Sequence, residues 1–180
     1  MGLWDTTAAP QLCHTGAMHI LVTASSKHGS TEAVANAIAL RLREAGHAVD
    51  RRAPEDVTTL DGFDAVVCGS AVYILQWMKE AREFIERFSA ELSQMPVWAF
   101  SVGMSGVPKH APQDPSRIGP LSTHVPGTQT RFFAGRYDPA LLTLRERSVA
   151  RLAGVVEGDF RDWDAVDAWA DSIAGELAAR

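Results

Sequence analysis

Residues 23–32 read TASSKHGSTE and stand between the apolar run HILV at 19–22 and the periodic segment AVANAIALRLREAG at 33–46. The run is short and is followed directly by polar turn residues, which favours a strand over a helix. In the segment that follows, Val34, Ala37, Ile38, Leu42 and Ala45 recur at close to 3.6 residues, and Gly46 supplies the left-handed residue that ends a helix. The first strand is expected at 19–24 (HILVTA), and the stretch therefore carries the loop of a strand–loop–helix unit. Its composition leaves two readings: a turn whose serine caps the helix, or a cradle for an anion. First-turn amides of a helix lack internal partners and the helix dipole favours negative charge there. Ser26, Ser30 and Thr31 add hydroxyls, Gly29 permits close backbone approach, and Lys27 or a protonated His28 offsets charge.

Further strands are expected at 47–52 (HAVDRR), 64–70 (DAVVCGS), 96–102 (PVWAFSV) and 130–135 (TRFFAG). Around 20–22, 65–68 and 97–100 the apolar residues are consecutive rather than alternating, as in parallel strands covered on both faces. A second helical stripe comprises Trp77, Ala81, Phe84, Ile85, Phe88 and Leu92. A third helix is expected at about 139–153. The last carries Trp163, Val166, Trp169, Ala170, Ile173 and Leu177, with Asp162 as its N-cap. The alternation of strands and helices predicts an α/β fold.

The 180 residues suffice for one domain, assigned to 18–180 after an aperiodic extension at 1–17, with Met18 an alternative start. Seventeen Lys and Arg against 22 Asp and Glu give a dispersed net charge of −5, which argues against a nucleic-acid partner. Cys13 and Cys68 have no metal-like spacing, and Cys68 falls in an apolar run suited to a reduced, buried thiol. A cytoplasmic setting is expected. No apolar run approaches the roughly 18–20 residues of a membrane span, and peripheral membrane contact stays open. Residues 103–129 hold five prolines and four glycines, so a long loop is expected there rather than a regular helix.

The loop carries neither GxxxxGK[ST] nor GxGxxG, which disfavours a P-loop or dinucleotide site. Read as Ser26-Lys27-His28-Gly29-Ser30-Thr31, it resembles the flavodoxin phosphate loop [ST]xTGxT, with His28 in place of the usual Thr. Across nearly all of 18–179 the chain looks closest to the menaquinone-dependent protoporphyrinogen oxidase branch of that family. The stretches that carry this resemblance are VVCGSAVY at 66–73, RFFAGRYDP at 131–139 and RDWDAVDAWADSI at 161–173.

The resemblance implies a flavodoxin-like three-layer sandwich, a five-stranded parallel sheet in the order 2-1-3-4-5 with helices on both faces. It also implies FMN, with the phosphate on residues 26–31 and the ring along the loops after the third and fourth strands. Those loops offer Ser70, Ala71, Val72 and Tyr73, then Ser101, Val102 and Gly103, whose backbone would meet the ring edge. Tyr73 is the favoured stacking residue over Trp77, which helical spacing assigns to the core. The implied activity passes electrons from an organic donor, protoporphyrinogen IX, to menaquinone, with 104–127 covering the ring. That segment departs from the oxidase branch in being proline-rich, with only Lys109 and Arg117 as cations. The alternatives are a flavodoxin-type electron carrier and a flavin-free interaction module.

Other residues invite blander readings. Trp98, Trp163 and Trp169 are accounted for by strand and helix faces, and His110 and His124 are loop histidines without ligand spacing. Asp61, Asp64 and Glu80 are scattered carboxylates with no pair whose geometry the sequence fixes, and no pattern points to a nucleophilic triad. Oligomeric state is not legible.

Overall fold

A computed structural model of the chain describes residues 16–73, 76–104, 128–152 and 154–180. Cys13, His110, His124, the segment 105–127 and all but the end of the expected N-terminal extension lie outside the described residues.

The first strand, β1 (His19–Ser25), leads into α1 (Ser30–Glu44) and β2 (Ala48–Arg52). Gly46 ends α1 with φ +95°, as its position implied. The long third strand, β3 (Ala65–Tyr73), turns back through the two-residue β4 (Gln76–Trp77) before α2 (Lys79–Arg87) and α3 (Ser89–Leu92). Then come β5 (Val97–Gly103), β6 (Gln129–Ala134), β7 (Arg136–Tyr137), α4 (Leu144–Leu152), β8 (Gly158–Asp159) and α5 (Trp163–Ala178).

The main sheet runs β2-β1-β3-β5-β6 with every neighbouring pair parallel. Counting only the five long strands, this is the expected order 2-1-3-4-5. Unforeseen are β4, antiparallel to the end of β3, and the separate β7–β8 pair. One face carries Ile20, Val22, Val67, Phe100 and Phe133 against Val34, Ile38 and Leu42 of α1 and Val166, Trp169 and Ile173 of α5. The other packs Leu21, Val66, Cys68 and Ala99 against Ala81, Phe84 and Ile85 of α2 and Leu92 of α3. Consecutive apolar residues in β1 and β3 thus serve opposite faces of one covered sheet.

Trp77 corrects the second helical stripe. It lies in β4 opposite Val72, although it is buried in the same core as Ala81 and Phe84. The helix begins two residues later because the Met78 N–H is held by the Ser70 hydroxyl at 2.8 Å and Met78 is extended, with ψ 153°. The stripe also breaks at Phe88, whose φ of −109° and ψ of 19° separate α2 from α3. The third helix shrinks to α4, preceded by a 3-10 turn at Pro139–Leu141. By contrast the Asp162 carboxylate accepts from the Ala165 N–H at 3.0 Å, capping α5 as expected.

Strand registers align Ser25, Ser70 and Ser101 as one row near the carboxyl end of three adjacent strands. Between β1 and β3 the strand order reverses, because the chain moves from β1 outward to β2 and then returns to β3. In open α/β sheets ligands bind outside the carboxyl ends at this switch point.

Candidate functional site

Residues 26–31 stand at that switch point. Gly29, with φ +81°, is the N-cap of α1 and provides no side-chain acceptor, so the serine-cap reading of the loop does not hold. The helix gains its first internal bond where Ala33 N–H reaches Gly29 C=O at 3.0 Å. The amides of Ser30, Thr31 and Glu32 precede that bond and are the ones a cap would have engaged. Nothing lies within 4 Å of where a Gly29 Cβ would sit. Around it Ser26, His28 and Ser30 are half-buried, Lys27 and Gly29 exposed, and Thr31 buried.

The Ser30 hydroxyl accepts from the Arg136 N–H at 3.0 Å, drawing the β6–β7 connection onto the loop. The neighbouring Gly135 permits this approach, since a Cβ there would stand 3.4 Å from Ser30 Oγ and 3.3 Å from Val102. Just before the loop, the Ser25 hydroxyl is buried and unpartnered among the described residues.

The ring-side candidates divide by exposure. Ser70, Ala71, Ser101 and Val102 are all buried. Ser70 Oγ donates to the Ala71 C=O at 2.8 Å and accepts from Met78, while Ser101 Oγ accepts from the Trp77 indole at 2.8 Å. Their side chains serve the sheet and leave only backbone for a ligand. Val72 and Gly103 are half-buried, and Tyr73 is 45% exposed. A Cβ on Gly103 would lie 3.1 Å from the Phe132 ring and 3.5 Å from Val72 Cβ, so the glycine holds these surfaces close.

A residue that sequence reasoning missed sits over the loop. Glu146 of α4 is ion-paired with Lys27 and lies 3.5 Å from His28 Nε2, a ring nitrogen with no hydrogen-bond partner among the described residues. Its other oxygen accepts from the Thr143 N–H and hydroxyl, each at 2.8 Å. The hydrogen bond from Lys27, then those from Thr143, hold the Glu146 carboxyl down to about 2. Partial burial, aided by the Glu146 charge, raises the Tyr73 phenol above its ordinary value. The spacing Thr143-Leu144-Arg145-Glu146 is a capping box and signals a helix start, but no sequence feature tells that its carboxylate reaches residue 27.

Trp98, Trp169 and Cys68 are core residues, and burial pushes the Cys68 thiol up to about 12. Trp163 is partly exposed beneath the Arg161 guanidinium. Among the described residues no group of three or more His, Cys, Asp or Glu is placed to hold a metal, and no helix is long and apolar enough to cross a membrane.

The fold and loop define an α/β protein with an anion-ready turn at its switch point. The family model of the flavodoxin domain matches residues 21–162, and the chain belongs to that family. Among solved structures it is similar to a flavodoxin from the domain Archaea, with TM-score 0.58 and 18% identity over 89% of this chain and 99% of that one. It is also similar to rubredoxin oxygen:oxidoreductase from Desulfovibrio gigas, with TM-score 0.59 and 14% identity over 89% of this chain. A third likeness is to the Flv1 flavodiiron core of Synechocystis sp. PCC6803, with TM-score 0.58 and 13% identity over 91% of this chain. The chain spans 36% of the length of each of the latter two. No curated protein sequence matches it.

Proposed function

We propose that the chain is a flavoprotein that holds FMN with its phosphate on residues 26–31 and takes part in electron transfer. The observation that carries this reading is the N-terminus of α1, capped by a left-handed Gly29 with no side-chain acceptor, at the switch point of the sheet. The residues present fit a phosphate: first-turn amides, the hydroxyls of Ser26 and Ser30, and Lys27 and His28 on the loop's flank. Tyr73, exposed at the end of β3, is suited to stacking on an isoalloxazine ring, with Val72 and Gly103 beside it. The flavin, when bound, supplies the redox chemistry. The chain's part is to hold the phosphate, present backbone from 70–73 and 101–103 to the ring edge, and limit water on one ring face.

As the finer reading, the protein is an oxidoreductase acting on a small-molecule donor with a quinone as acceptor, specifically protoporphyrinogen IX and menaquinone. Its support is the sequence resemblance at 66–73, 131–139 and 161–173. A carrier without its own substrate is the second reading, favoured by the archaeal flavodoxin, which the chain spans almost completely. Purification, a visible spectrum and identification of released flavin test the common part. A colourless protein that takes up no added FMN refutes it. Anaerobic reduction of the flavin by protoporphyrinogen, then reoxidation by a menaquinone analogue, separates enzyme from carrier. Lack of the first half-reaction removes the proposed donor.

A further inference from the structure

Lys27 and His28, on the loop's flank, face a carboxylate from another element. Glu146 Oε1 is paired with Lys27 and stands 3.5 Å from His28 Nε2, while Oε2 closes the cap of α4 on Thr143. Apart from this contact α4 is weakly seated. None of its residues is buried, and Leu144, Val149 and Leu152 are 80%, 58% and 90% exposed. Only Glu146 and Ala150 of the helix are half-buried. The ion pair is thus the principal polar tie between α4 and the loop.

A phosphate seated on the α1 amides and drawing on Lys27 meets a second anion that already holds that ammonium. Like charges a few ångströms apart repel, and Lys27 cannot satisfy both fully. Resting on the FMN reading above, we infer that Glu146 competes with phosphate for Lys27 of the loop. It occupies Lys27 and His28 while α4 is docked, and phosphate entering the loop displaces it, so phosphate binding and docking of α4 oppose one another.

The charge can be removed without losing the helix cap, because glutamine serves in a capping box as glutamate does. The test compares FMN with riboflavin, which lacks the phosphate, on the full chain and on Glu146→Gln. Expected is FMN affinity raised about fivefold or more in the variant, the lower range of common coupling between sites, with riboflavin affinity unchanged. Hydrogen exchange on the full chain should show α4 losing protection when FMN is added and not when riboflavin is added. Lys27→Met should loosen α4 with no ligand added. An equal change for both flavins, no change for either, or α4 protection unaltered by FMN overturns the inference while leaving the FMN reading standing. If neither flavin binds either form, the FMN reading falls and this inference with it.

Discussion

The Trp77 indole N–H donates to the Ser101 hydroxyl at 2.8 Å, and both residues are almost fully buried. This bond ties β4, at the end of the β3 excursion, to the carboxyl end of β5, and so joins the two loops proposed to border the ring. Ser101→Ala should strand the indole N–H in the core and cost about 1–3 kcal/mol. Trp77→Phe loses the donor and some packing, and in a double-mutant cycle the pair should show coupling of about 1 kcal/mol. Urea unfolding measures both. Independent, additive effects would mean that the bond contributes nothing to joining the loops.

Two glycines near the site should respond to alanine to different degrees. A Cβ on Gly69 would lie 2.2 Å from the tip of the Phe100 ring, which packs over the glycine from the adjacent strand. Phe100 is fully buried and cannot swing away, so Gly69→Ala should cost about 3 kcal/mol, the upper end for overpacked cores. Gly29→Ala meets no atom within 4 Å and bears only the left-handed backbone, about 1 kcal/mol. Thermal or urea unfolding that ranked them the other way would refute this reading of Phe100.

The contrast shows what was legible in the sequence. Strand and helix periodicity located all five long strands and α1 because their burial is dictated by layers above and below a sheet, which local pattern records. The loop was legible for the same reason: Gly29 and the serines stand directly between strand and helix. Trp77 was misplaced because a tryptophan buried from a strand and one buried from a helix leave the same apolar mark. What decided it was the Ser70–Met78 hydrogen bond across the turn. Glu146 escaped altogether. Its capping box with Thr143 is local, but its ion pair with Lys27 spans most of the chain and depends on how α4 meets the loop after β1.

His47 offers a test of pH dependence away from the site. Its ring is buried beside β2 and Nδ1 accepts the Met18 N–H at 3.3 Å, and burial lowers its pKa from the ordinary value of 6.5. The folded chain therefore favours neutral imidazole, whereas the unfolded chain takes up a proton near 6.5. Stability from this source is present above that value and declines as pH falls below it. Urea unfolding at pH 7.5 and 5.5 should show a loss in the wild type that His47→Leu reduces. Identical pH slopes in the two proteins would exclude His47 as its origin.

The carboxyl of Glu146 should be the most direct reporter on the loop. Hydrogen bonds from Lys27 and Thr143 hold it down to about 2, against an ordinary value of 4.5. For a carboxylate depressed in the folded state, the sign runs opposite to that of a group stabilised by protonation. The contribution is complete above 4.5 and is lost as pH falls towards about 2. At pH 3.5 Glu146 should thus remain ionised while an unperturbed glutamate is largely protonated. Carbon-13 NMR of the side-chain carboxyl follows this residue by residue. Lys27→Met removes the largest cause and should move the midpoint back towards 4.5, with the Thr143 bonds retaining part of the depression. A wild-type midpoint near 4.5 would show that Glu146 does not hold Lys27 in solution, and that Lys27 is free to receive a phosphate without displacing it.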